Sequence, residues 1–136
     1  MTKEGYTSNE RIKEESDFLR GNISDLLHDG SITHFPSEEE FLLKFHGITQ
    51  QDNRDERLIR KKNGQERNWL FMLRLRLPGG RMTPSQWLAA ETLSDQFGNG
   101  TLKLTTRQAI QIHGVVKQDL KQTMKDIHHA AITTIA

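Results

Sequence analysis

Cysteine is absent from the 136 residues. That removes disulfides, thiolate nucleophiles, Cys-ligated zinc and Cys-ligated iron–sulfur clusters from this chain's own chemistry. Net charge is nearly absent as well. Nineteen basic and 18 acidic side chains leave a formal +1, which argues against binding nucleic acid or membrane through bulk charge. No apolar run approaches the ~20 residues of a membrane span, and the opening MTKEGYTSNERIKEES carries no apolar signal core. The expected location is the cytoplasm. Apolar residues are few, 34% beside 27% charged, so the core is small and a partner surface would help it. The length fits one compact domain plus an extension.

What is present falls into two parts. Residues 8–20 are predicted to be helical with Ser8 as cap, and ISDLLHDG forms a second short helical turn closing at Gly30. SITHFPSEEE is expected to be a loop, and FLLKFHGI (41–48) a buried strand. Residues 49–68 hold ten charged residues and almost nothing apolar, the composition of a solvated linker or arm. This places a boundary between an N-terminal extension, 1–67, and a main domain, 68–136.

The main domain opens with a strand, WLFMLRLRL, punctuated by PGG at 78–80. TPSQWLAAETLSDQF is predicted to be a helix with Thr83 as N-cap and Pro84 in its first position. LKLTTRQ and AIQIHGV are extended, and a closing helix runs from Asp119 to about Ile135. Strand, helix, strand, strand, helix is a ferredoxin-like split βαβ order without its last strand. The expected class is α+β, an incomplete half-domain behind a helical, charge-rich extension, and a chain that stops inside its motif is expected to be truncated.

Side chains on a strand alternate faces. Trp69, Phe71, Leu73, Leu75 and Leu77 therefore share an apolar face, opposite Leu70, Met72, Arg74 and Arg76. In TTRQAIQIHG, Ile110 and Ile112 share a face with Thr106 and Gln108, opposite Arg107, Ala109, Gln111 and His113. If both polar faces belong to one sheet surface, Arg74, Arg107, Gln111 and His113 converge there. Guanidinium forks suit carboxylates and small oxyanions, so the surface favours an anionic ligand, with Ala109 leaving room for a flat body.

The other histidines weigh less. His46 is expected to be packed beside a turn, His28 and His34 to lie at the surface, and His128 and His129 are adjacent, not at the i, i+4 spacing of a metal pair. An RNA-binding sheet would need aromatics beside the arginines, yet Trp69 and Phe71 fall on the opposite face.

DFLRG (17–21), KFHGITQQDNRDER (44–57), MLRLRLPGG (72–80) and LTTRQAIQIHG (104–114), in this order, resemble the start of the siroheme-dependent sulfite and nitrite reductases. The arginine-glutamine strand ending in His-Gly is the most specific of these segments. The resemblance implies a longer haemoprotein with two pseudo-symmetric halves around siroheme and a [4Fe-4S] cluster. Such a protein reduces sulfite to sulfide in sulfur assimilation, with electrons from an NADPH-fed flavoprotein or from ferredoxin. It implies Arg74 as a contact to the sulfite anion and Arg107, Gln111 and His113 as siroheme contacts. The cluster's cysteines would lie in the C-terminal half. RLPGG and QQDNRDER lean toward the NADPH-linked bacterial type. The alternatives are a nitrite-reducing relative and a non-catalytic half-domain that pairs with another polypeptide.

Overall fold

The computed structural model describes residues 5–135; the first four residues of the extension and Ala136 lie outside it. The strand at the start of the main domain, β2 (Trp69–Leu75), is the centre of the sheet. Its Phe71, Leu73 and Leu75 are fully buried together with Ile110, Ile112 and Val115 of β4 (Ile110–Val115). Two helices cover this apolar face. The first, α5 (Pro84–Phe97), begins as the sequence predicts: Thr83 Oγ1 accepts from Gln86 N, Gln86 Oε1 accepts from Thr83 N, and Pro84 opens the first turn. The second, α6 (Lys117–His129), contributes Leu120 and Ile127.

The sheet is antiparallel throughout, in the order β1-β2-β4-β3, with β1 at Ile48–Asp52 and β3 at Leu102–Leu104. Strand β1 pairs with β2 from Ile48↔Leu73 to Asp52↔Trp69. Beyond it, Arg74 N donates to Gly47 O (2.8 Å) and Arg76 N to Thr133 O (2.7 Å). The side of β2 that the last strand of a ferredoxin-like motif would take is thus shared by β1 and by the residues after α6. That closing helix ends at His129, not near Ile135. Ala131 takes φ +57, and the chain turns back toward β2.

Three further expectations are corrected. FLLKFHGI is not a strand: α3 (Ser37–Leu43) and a 3₁₀ turn (Lys44–His46) precede β1. Glu38, Glu39 and Glu40 in the first turn of α3 favour the positive end of its dipole, and Leu42 and Leu43 are buried on one side. The linker expected at 49–68 is instead β1 followed by α4 (Arg54–Lys62). No residue of α4 is buried; the helix rests on local terms. Asn53 Oδ1 caps Asp55 N, acids stand in its first turn and Arg60, Lys61 and Lys62 in its last, and Glu56 pairs with Arg60 at 2.9 Å. The first helix, α1 (Ser8–Glu15), is capped by Thr7 rather than Ser8, through a reciprocal box with Glu10.

The extension is tied to the sheet by polar as well as apolar contacts. α2 (Ile23–His28) lies against α6. Phe35 packs edge-on to Phe71, ring centroids 5.7 Å apart. Lys117, 3% exposed, donates to Asp29 O at 2.6 Å, and burial holds its ammonium below the usual lysine range. Gln50, also buried, grips both backbone groups of Phe35: its Oε1 accepts from Phe35 N (2.7 Å) and its Nε2 donates to Phe35 O (3.1 Å). Gln50→Leu keeps the volume but leaves both groups buried without partners, at about 1–3 kcal/mol each. The expected loss in urea unfolding is about 2–6 kcal/mol in all; a loss below about 1 kcal/mol would mean that water replaces the amide.

Candidate functional site

Helices cover one face of the sheet, and the chemistry gathers on the other. Arg74 and Gln111 are register partners, and Lys103 of β3 is Gln111's partner on the far side, so the three form one row across β2, β4 and β3. His113 stands two residues along from Gln111 on the same face, its Nε2–H donating to Gln111 Oε1 at 3.1 Å. That bond leaves the Gln111 amide N–H groups and the His113 Nδ1 available. No acidic strand residue shares this face. The Arg74 Nε is buried and has no hydrogen-bond partner. A buried donor without an acceptor is costly, and an acceptor placed against it would relieve that cost.

The backbone aims these groups. Between the pairs Phe71↔Val115 and Leu73↔Ile112, β4 carries one residue more than β2, a bulge at His113–Gly114. Gly114 takes φ +86, and a Cβ there would lie 3.0 Å from Asn99 Cβ, so a side chain would be both strained and crowded. The bulge lets His113 stay on the open face while Val115 returns to the core. His-Gly at the end of the strand therefore has a mechanical reason.

Arg107 is corrected in place. It is not on a strand, because β4 begins at Ile110, and it lies exposed in the hairpin turn after β3, where Gln108 takes φ +55. Thr106 and Gln108 leave the apolar face for the same reason. Even so, Arg107 shares a cavity of about 380 Å³ with Arg74 and Arg76, lined also by Pro78–Gly79, Ala109 and Thr134, with no carboxylate among the described residues that line it. Arg74, Gln111 and His113 thus come together directly, and Arg107 meets Arg74 across the cavity. Lys103 is the residue that sequence reading did not single out; only the register of a three-residue strand reveals it.

His46 is packed as expected, its Nε2–H donating to Leu19 O at 2.8 Å beside the turn at Gly47. Among the described residues, no group of three or more His, Asp or Glu side chains could hold a metal ion, and no helix is long and apolar enough to cross a membrane.

Burial, and next the Lys103 charge, hold the His113 imidazole below its ordinary value of 6.5. The folded state therefore binds this proton less readily than the unfolded chain. Its contribution to stability is fully present above about pH 6.5 and is lost as pH falls through the folded value. Urea midpoints are expected to drop with acidification in that window and to drop less steeply in His113→Gln; equal slopes would refute the assignment.

The family model for the Nitrite/Sulfite reductase ferredoxin-like half domain matches residues 63–130. The chain is 54% identical over 132 residues to the sulfite reductase [NADPH] subunit beta of Saccharomyces cerevisiae, covering 95% of this chain and 9% of that protein. It is 48% identical over 127 residues to the sulfite reductase [NADPH] hemoprotein beta-component of Bacillus subtilis, covering 93% of this chain and 22% of that protein. Among solved structures, the Mycobacterium tuberculosis NirA protein superposes with a TM-score of 0.73 at 15% identity, over 95% of this chain and 25% of that one. The chain spans less than a quarter of the length of these two curated relatives, and within that span it belongs to the nitrite/sulfite reductase ferredoxin-like half-domain family.

Proposed function

We propose that the chain is the N-terminal part of a sulfite reductase haemoprotein and supplies one wall of its siroheme and sulfite pocket. The observation that carries this reading is the carboxylate-free row of donors on the open face, with the buried, unpartnered Arg74 Nε at its β2 end. Arg74 offers its guanidinium to the sulfite anion. Arg107, Gln111 and His113 are the donors that hold the siroheme carboxylates, and Ala109 leaves space for the flat macrocycle. The donor set fits such a polycarboxylate: every residue in it is cationic or an amide or imidazole. Siroheme, when bound, supplies the iron at which sulfite is reduced.

The work of this chain's own residues is electrostatic. Positive side chains set in place before the anion arrives offset its charge without rearranging during the reaction. The [4Fe-4S] cluster is held by thiolates from the rest of the protein, since this sequence has no cysteine. Electrons come from an NADPH-linked flavoprotein subunit in the cytoplasm. Residues 68–136 form the half-domain proper, and residues 1–67 form an extension that lends it β1.

The direct test is to follow the transcript past the codon for Ala136. A frame that continues into paired cysteine motifs is expected, and a stop codon at that point would overturn the reading. The 136-residue polypeptide by itself is expected not to reduce sulfite with reduced methyl viologen.

A further inference from the structure

A second cleft, on the helix-covered side of the sheet, has the opposite character. It lies between α2 and α6 and has a volume of about 360 Å³. Its floor is made by Leu43, Ile48 and Leu120, core residues no more than 5% exposed. Leu27 on α2 and Met124 on α6 form its walls. The size is that of a small-molecule site, and so is an apolar interior with few polar groups at its mouth.

The mouth is cationic. Lys121 and Arg20 stand there, and none of the described residues lining the cleft is acidic. Arg20 has a loose pairing with Asp17, 4.0 Å from its guanidinium, with both side chains about three-quarters exposed. Lys121 Nζ donates to His28 Nε2 at 2.7 Å, while His28 Nδ1–H donates to Ser24 O at 2.6 Å. This fixes His28 as the acceptor and leaves two of the three ammonium N–H groups of Lys121 unused. The Lys121–His28 contact also joins one wall of the cleft to the other. A slender chain fits beneath such a span, whereas a helix or a folded surface does not.

We infer that this cleft binds a free medium-chain monocarboxylate, its alkyl body on Leu43, Ile48 and Leu120 and its carboxylate on Lys121 and Arg20. The site is independent of the donor row, so either assignment stands without the other. Charge complementarity selects the ligand: an apolar floor alone would accept any hydrocarbon, and a cationic mouth without acids selects an anionic head.

The test is a titration of the 136-residue chain with decanoate below its micelle concentration, followed by methyl resonances of Met124, Leu120 and Ile48. Saturable one-to-one binding confined to these methyls is expected, with decanol at least tenfold weaker and decyltrimethylammonium not saturating. Lys121→Gln, at the rim, is expected to weaken decanoate tenfold without changing the spectrum elsewhere. Met124→Trp, which fills the cleft, is expected to abolish binding. Equal affinity for decanol and decanoate, shifts scattered over the molecule, or undiminished binding by Lys121→Gln would each overturn the assignment. So would a short acidic-aromatic peptide that outcompetes decanoate.

Discussion

Gly47→Ala is expected to lower the stability of the fold by about 4 kcal/mol or more, in the range that single substitutions seldom reach. Gly47 closes the 3₁₀ turn with φ 74 and ψ 18, a conformation that costs an ordinary residue about 1–2 kcal/mol. The larger part comes from space. An ideal Cβ would sit 2.0 Å from the backbone oxygen of Thr134 and 2.9 Å from its carbonyl carbon. Neither atom can rotate away as the end of a flexible side chain can. Gly47 O also accepts from Arg74 N, so retreat on one side breaks a bond that positions the arginine of the donor row. The cheaper relief is for residues 132–135 to leave β2, which exposes Ile132 and Thr134, now 5% and 2% exposed, and frees the Arg76 amide. Urea unfolding measures the total, and hydrogen exchange at Arg76 N identifies the route. Gly64→Ala is the control. Gly64 shares a positive φ, +66, but a Cβ there meets nothing within 4 Å, so it reports the backbone cost alone. A Gly47→Ala midpoint no lower than that of Gly64→Ala would show that Thr134 yields without penalty.

The second large effect concerns Arg74. In the full-length protein, Arg74→Ala is expected to lower sulfite turnover by about 10²–10³-fold, the usual consequence of losing one preorganised charge donor. Siroheme content is expected to persist, because the cofactor carboxylates rest on Arg107, Gln111 and His113 in the proposed arrangement. Arg74→Lys is expected to recover only part of the activity, since an ammonium lacks the planar fork. The isolated 136-residue chain gives the complementary readout. There Arg74→Met should be neutral or stabilising, because the substitution removes a buried donor that has no partner. Full activity in the alanine variant, or a marked loss of stability in the isolated methionine variant, would assign Arg74 a packing role instead.

Much of this arrangement is legible from alternation and punctuation. The faces of Trp69–Leu75 follow from period two, and Thr83-Pro84 announces the start of α5 by capping chemistry alone. Arg74, Gln111 and His113 could be placed on one surface before any coordinates because each sits on a strand whose other face is apolar. The failures share a cause in weak local signals. FLLKFHGI is apolar and short, and a run of that kind does not separate strand from helix. α4 has no buried stripe to betray it; caps and ion pairs hold it, and these look like a solvated linker in composition. Alternation carried on through TTRQ puts Arg107 on a strand, whereas the φ +55 of Gln108 turns the chain there. Lys103 enters the site through strand register, which no single segment encodes.

The residues that match the half-domain family begin at 63, yet β2 leans on a strand that lies before them. A polypeptide begun at Asn68 would retain all four proposed contact residues and lose Ile48–Asp52. Residues 69–73 would then present an unsatisfied ladder of amides and carbonyls, and the neighbouring Phe35 and Leu43 would no longer shade the apolar side. Exposed ladders of this kind recruit other chains and seed aggregation. Ile48–Asp52, which hold none of the donors, thus keep this edge of the donor-bearing sheet from pairing with other chains.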